Sequence, residues 1–237
     1  MRLGSLGIIT AMSLPEEFST KRMKASRIAE SDLESVHAML CNQKLGASSE
    51  GAPTEEKTRA YIALCSKHWD EHGFGIWSLR TKANGKFIGR AGLRRVAVDG
   101  KDEIEVSFGL VVEAWGWGMG TEIGTELATM ALDGLNAPSV VGIPLTSNIQ
   151  YRRVMEKIGF DFEKEISHQN DARDLLRRTK DKKIDGSGDG LTWTSDLTAD
   201  ESSRKPIPTP AEEELNKLIS SELGGLLQEE EPPPEVK

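Results

Sequence analysis

Apolar spacing along the chain switches repeatedly between strand and helix periods. KASRIAE (24–30) is short and strand-like, and after Ser31-Asp32 the spacing becomes helical, with Leu33, Val36 and Leu40 on one face. LGASSEGAPT (45–54) has loop composition. Its last residue, Thr54, is placed to cap a second helix, EEKTRAYIALCSKHWDEH, in which Tyr61, Ile62, Cys65 and Trp69 share a face. Three strand-like runs follow: GIWSLRT (75–81), KFIGRAGLRRVAV (86–98) and DEIEVSFGLVV (102–112). The turns between them, Ala83-Asn84-Gly85 and Asp99-Gly100, are hairpin turns, so the strands should be antiparallel neighbours.

The third run leads through EAWGWGMGTE (113–122) into a helix over 119–135, whose buried stripe is Ile123, Leu127, Met130, Ala131 and Leu135. SVVGIPL (139–145) is wholly apolar, as in a strand buried on both faces. Asn148 precedes the helix IQYRRVMEKI, which Gly159 ends, and FDFEKEI (160–166) alternates as a strand. The Lys/Arg-rich stretch 171–183 fits either a solvated helix or a long loop. DGSGDG (185–190) then turns into LTWTSDL (191–197), the expected last strand.

Composition places the boundaries. Only 37% of the 237 residues are hydrophobic, and the shortfall lies at the end of the chain. From Asp196 onward there are eleven acidic and four basic residues, which accounts for nearly all of the net charge of −8. The expected organisation is an irregular extension over 1–17, one domain over 18–197, and an acidic, mostly disordered tail over 198–237. Within the tail, Thr209 and Pro210 open an amphipathic helix near 210–228, carrying Leu215, Leu218, Ile219, Leu223, Leu226 and Leu227. An isolated helix of that length is marginal in water, so it should dock on its own domain, on a partner protein or on itself. The opening MRLGSLGIITAMSLP reads as a frayed terminus rather than a targeting segment. Cys41 and Cys65 stand alone without metal-ligand spacing, which fits a reduced cytoplasmic or nuclear protein without a metal. Neither a transmembrane run nor a basic, aromatic-laced stripe is present, so membranes and nucleic acids are not expected partners.

The glycines Gly116, Gly118 and Gly120 admit two readings. They serve a tight strand-to-helix turn, or Gly118 and Gly120 clear a path for a phosphate to the unpaired amides of a helix N-terminus, a reading that leaves Gly116 unexplained. Two nucleotide motifs are excluded. The loop ends Gly-Thr-Glu rather than Gly-Lys-Ser/Thr, and its spacing is not GxGxxG after a parallel strand.

Strand–WGWGMGTE–helix followed by SNIQYRRVMEKIGF (147–160) resembles the GNAT superfamily of acyl-CoA N-acyltransferases, in particular its RimJ/RimL-like branch. STKRMKASRIAESDLESV and GFGIWSLRTKANGKFIGRAGL (73–93) add to the resemblance, which covers about 18–166 and the strand near 191–197. It implies a mixed α+β fold: a mostly antiparallel, twisted sheet of six to seven strands, splayed between strands four and five and flanked by about four helices. It further implies acetyl-CoA as acyl donor. The backbone of Leu110, Val111 and Val112 would pair with the pantetheine arm, and the amides from Trp117 through Gly118, Met119 and Gly120 to Thr121 would hold the pyrophosphate. Asn148 would contact the arm. Trp115 stands where the superfamily has Gln or Arg, a substitution familiar in this branch.

By the same resemblance the reaction is direct attack of a primary amine on the thioester. A backbone N–H near Phe108–Leu110 would serve the oxyanion, with Gly109 at a bulge. Glu105, ten residues before Trp115, is the candidate base. Many superfamily members place a Tyr acid at the position of Met155, and this branch places a Ser at the position of Tyr151, so Tyr151 is the candidate acid. Packing and catalysis both remain open for it. His68 and His72 are expected to be solvated or capping, and Trp69 and Trp77 to be core. The acceptor is an amine of a peptide or small molecule that the residues do not identify. A non-catalytic acyl-CoA-binding or interaction module with a degenerate site is the alternative.

Overall fold

The structure, a computed structural model, describes residues 13–42, 52–168 and 171–182. The expected strand at 191–197, the tail helix and the first twelve residues lie outside them.

The chain forms β1 (Glu17–Ser19), β2 (Met23–Arg27), α1 (Leu33–Leu40), α2 (Glu55–His72), β3 (Ile76–Thr81), β4 (Phe87–Val98) and β5 (Lys101–Leu110). It continues with α3 (Met119–Thr129), β6 (Ser139–Gly142), α4 (Ile149–Lys157), β7 (Asp161–His168) and β8 (Asp171–Thr179). All eight strands join one sheet in the order β1-β2-β3-β4-β5-β6-β8-β7, antiparallel except for β5–β6. The mixed α+β fold and the antiparallel meander follow expectation. Two of the eight were not expected: β8, in the Lys/Arg-rich stretch, and β1, a three-residue edge strand too short to carry a period.

Local chemistry explains the helix limits. Thr54 Oγ1 accepts from Lys57 N at 3.2 Å, and Gly73, at φ 72°, ends α2 while its N–H reaches Trp69 O. Asn148 caps α4 by accepting from Tyr151 N at 2.7 Å. The predicted helix over 119–135 is regular only to Thr129; a wider π turn occupies Met130–Gly134.

Two of the three apolar clusters among the described residues involve the helices. One buries Ile123 and Leu127 of α3 with Met155 of α4 against Leu93, Val106 and Val140. The other gathers Val36, Met39 and Leu40 of α1 with Tyr61, Ile62 and Cys65 of α2. Trp69 and Trp77 meet edge to face at 4.8 Å, and the Trp69 indole N–H donates to Ile76 O at 2.9 Å, so both are core residues with satisfied polar atoms.

The stretch 171–183 resolves an ambiguity that favoured neither of its two readings. Residues 171–179 form β8, inserted between β6 and β7. Charges in it are paired with a neighbouring helix and with other strands. Asp174 takes Arg152 at 3.0 Å, and Arg177 takes Glu103 at 3.0 Å and Glu163 at 2.6 Å. Leu175 and Leu176 are both buried, as suits an inner strand covered on both faces.

The sheet opens between strands four and five of the expected order, which are β5 and β6 here. They register only at Glu105↔Val141. The chain after Gly142 turns its hydrogen bonds toward β8: Asp174 N donates to Pro144 O at 2.9 Å and Thr146 N to Ala172 O at 3.2 Å. Those bonds draw the end of β6 away from β5 and leave the last residues of β5 facing a gap. Gly109 is not at a bulge, because the β4–β5 register runs unbroken from Gly89↔Leu110 to Val98↔Lys101. Register shifts lie elsewhere, between Leu79 and Arg80 of β3 against β4 and between Phe162 and Lys164 of β7 against β8.

Candidate active site

The gap is a cavity of about 530 Å³, and three walls meet in it. The end of β5 supplies Glu105, Ser107, Phe108, Gly109 and Leu110. The glycine loop and α3 supply Trp115, Gly116, Gly118, Met119, Gly120 and Thr121, and α4 supplies Asn148 and Tyr151. The splay therefore brings together residues separated by more than forty positions.

The loop geometry separates the roles of the glycines. Gly116 (φ 76°) and Gly118 (φ 69°) have left-handed backbones that other residues adopt only with strain; a Cβ at Gly116 would meet open space, and one at Gly118 would touch Arg22 Nη2 at 3.8 Å. Gly120 serves another need: a Cβ there would lie 3.3 Å from Phe108 Cε2. The first closed turn of α3 is Glu122 N to Gly118 O at 3.1 Å. The N–H groups of Met119, Gly120 and Thr121 thus precede it and have no helical acceptor, with the positive end of the helix dipole behind them. An anionic group fits this end of the cavity.

The two tryptophans divide. Trp115 is half-buried under the loop, and its indole N–H donates to Leu110 O at 2.7 Å. Trp117 is 68% exposed and does not line the cavity. Val111 and Val112 also lie off the cavity lining. Val111 N donates to Ile88 O at 3.0 Å, and Val111 O and Val112 O accept from Ala114 and Trp115. The β5 edge open to the cavity runs instead through Ser107 to Leu110.

On the opposite wall, Phe108 stacks on Tyr151 with ring centroids 4.6 Å apart and planes 20° from parallel. Behind Phe108 lie the bare faces of Gly120 and Gly124. The Tyr151 hydroxyl donates to Val106 O at 3.0 Å, which places it beside the residue that follows Glu105. Glu105 itself is buried, and its Oε2 accepts from Arg94 Nη2 on β4 at 2.6 Å. The fold thus collects a carboxylate and a phenol at the same level of β5, where the sheet begins to open.

Sequence reasoning missed Met39 of α1, Ile143, Pro144 and the exposed face of α4 with Gln150, Arg153 and Lys157, all of which line the cavity. Arg153 and Lys157 are one turn apart on α4, a basic i, i+4 pair that was visible in IQYRRVMEKI. Among the described residues no group of three or more His, Cys, Asp or Glu is placed to hold a metal ion. His68 is structural. Its Nδ1 pairs with Phe74 O at 2.8 Å, and its Nε2 accepts from Arg95 N at 3.2 Å. Burial outweighs the Phe74 contact and holds its pKa below the usual histidine value.

A family profile described as the acetyltransferase (GNAT) domain matches residues 22–161, more than half of the chain. The chain belongs to the GNAT acetyltransferase family.

Solved structures agree in fold. An acetyltransferase from Agrobacterium tumefaciens superposes with a TM-score of 0.60 at 20% identity, covering 70% of this chain and 95% of that one. A ribosomal-protein alanine acetyltransferase from Vibrio fischeri gives 0.58 at 15% identity, covering 70% and 97%. RimL, a ribosomal α-N-protein acetyltransferase in complex with coenzyme A, gives 0.58 at 12% identity, covering 69% and 98%. The GNAT domain of this chain thus has neighbours among ribosomal-protein acetyltransferases. Among its described residues no helix is long and apolar enough to cross a membrane.

Proposed function

We propose that this protein is an acetyl-CoA-dependent N-acetyltransferase that acetylates a primary amine, a protein N-terminus, a lysine or a small amine, in a ternary complex. The observation that carries this reading is the single cavity joining the open end of β5, the free amides at the start of α3 and the Glu105–Tyr151 pair. Coenzyme A has a phosphate-bearing end and a thin, amide-containing arm. The amides of Met119, Gly120 and Thr121 suit the first, and the β5 edge and Asn148 suit the second. Acetyl-CoA would supply an acyl group already activated as a thioester.

Glu105 accepts the proton that the acceptor amine gives up, directly or through one water. Arg94 holds the carboxylate in place through Oε2. On the facing wall, Tyr151 Oη would give a proton to the coenzyme A thiolate, which leaves as the amine's C–N bond forms and the thioester C–S bond breaks. At rest it donates to Val106 O, and rotating the O–H bond away from that carbonyl requires no movement of the ring, which Phe108 holds. Backbone N–H groups along Phe108–Leu110, at the edge that β6 leaves, stabilise negative charge on the carbonyl oxygen. A reducing cytoplasm fits a chain that carries Cys41 and Cys65 as thiols.

The test is thiol release from acetyl-CoA by the full chain against a panel of amines and N-terminal peptides. Acceptor-dependent release with a matching mass gain of one acetyl group is expected. Binding of coenzyme A without turnover by any acceptor would favour a degenerate, non-catalytic domain instead.

A further inference from the structure

The glycine loop lacks an apolar anchor at its tip. The Trp117 indole is 68% exposed, and the residue stands between two glycines with positive φ. Backbone amides bind an anion well only when they are held in position beforehand, because ordering them on binding costs affinity. The restraint comes from the turn between β1 and β2, about a hundred residues earlier. Arg22 Nη1 donates to the Trp117 carbonyl at 2.5 Å, and Arg22 Nε donates to Glu122 Oε2 at 2.6 Å. Glu122 Oε1 accepts from the Arg22 backbone N–H at 2.8 Å and from Thr20 Oγ1 at 2.5 Å. The guanidinium also approaches Gly118, with Nη2 3.8 Å from where a Cβ would stand.

Glu122 gives the arrangement an electrostatic side. It sits in the first turn of α3, where a carboxylate suits the helix dipole but opposes a phosphate at the same helix end. The side chain is only 16% exposed. Burial pushes its pKa up, but the bonds from Thr20 and Arg22 outweigh burial and hold it below the ordinary glutamate value. It therefore carries full charge near neutral pH, and Arg22 is the cation that cancels that charge.

Building on the coenzyme reading above, we propose that Arg22 is a positioning residue for the phosphate-binding loop: it pins the Trp117 carbonyl and neutralises Glu122 beside the site. The β1–β2 turn is thereby part of the cofactor site, although none of its residues lines the cavity.

The experiment is calorimetric titration of the full chain with coenzyme A, with thermal unfolding measured in parallel. Arg22→Ala should weaken coenzyme A binding about tenfold, since it removes a carbonyl clamp and exposes a like charge to the phosphates. Arg22→Lys, which keeps the charge but cannot reach both partners at once, should lose about threefold. Glu122→Gln should bind within about twofold of wild type or more tightly, because the like charge is gone. A role confined to fold stability predicts a different pattern, with Arg22→Ala and Glu122→Gln weakening in parallel with their melting temperatures. That parallel loss, or wild-type affinity in Arg22→Ala, overturns the inference. If Arg22→Ala does not fold, the contrast between Arg22→Lys and Glu122→Gln decides in the same way. Failure of the wild-type chain to bind coenzyme A overturns the cofactor reading itself, and the inference falls with it.

Discussion

Replacing Glu105 by Gln separates its two roles, because the substitution keeps the shape and removes the base. The side chain is 6% exposed and its partner Arg94 26%, so the pair is desolvated mainly on the carboxylate side. Gln can still accept from Arg94, and an ion pair becomes a hydrogen bond charged on the donor side alone, at a cost of about 1–2 kcal/mol. For a domain of this size that corresponds to a melting-temperature drop of about 2–8 °C. Loss of a positioned base lowers turnover by about a hundred- to ten-thousandfold. The two effects separate by comparison with Arg94→Gln, which loses the ion pair but keeps the carboxylate. Both variants should melt earlier, and only Glu105→Gln should lose turnover by two or more orders of magnitude. The assay is thiol release at saturating acetyl-CoA, measured well below either melting temperature. If Glu105→Gln turns over within about threefold of wild type while its stability falls as calculated, the carboxylate is only an ion-pair partner and the assignment is wrong.

Tyr151→Phe keeps the stack on Phe108 and removes the hydrogen bond to Val106 O, so it should cost about 1 kcal/mol of stability, read by denaturant titration. As the proton source it should also lower turnover by at least about tenfold, and unchanged turnover would leave it a packing role. Gly118→Ala forces a side chain into a left-handed backbone; it should destabilise by about 1 kcal/mol and weaken coenzyme A binding, which calorimetry would show. His68 should make the fold acid-sensitive. Its folded pKa lies below the unfolded value of about 6.5, so its contribution is complete above that pH and is lost as pH falls through the folded pKa. Chemical denaturation between pH 8 and 5 should therefore lose part of its acid slope in His68→Asn, and an unchanged slope would remove His68 as the cause.

Much of the fold was written in local pattern. The cap at Thr54, the Asn-Gly and Asp-Gly turns and the stop at Gly159 each depend on a few neighbouring residues, and the elements they bound appear where the spacing put them. The loop WGWGMGTE was legible as a strand-to-helix junction for the same reason, since Gly118 ends the turn and α3 begins at Met119. Non-local features were not legible. The stretch 171–183 fitted either a solvated helix or a long loop because its charges have no partner in sequence; Glu103, Arg152 and Glu163 become partners only when the chain folds. That Gly120 of α3 must also make room for the Phe108 ring of β5 was not visible either, because the two lie twelve residues apart and meet only in the fold.

The sequence alone determined the order of elements and the chemistry available: a glycine-rich helix start, a strand carboxylate and a phenol one turn into a later helix. The tertiary structure decided which of these meet. The bonds that draw the chain after Gly142 toward β8 open the sheet beside Glu105, and only that opening places Tyr151, the α3 amides and the β5 edge around one cavity. It also decided that the loop is held by Arg22, about a hundred residues away, because a hydrogen bond depends on distance in space and not along the chain.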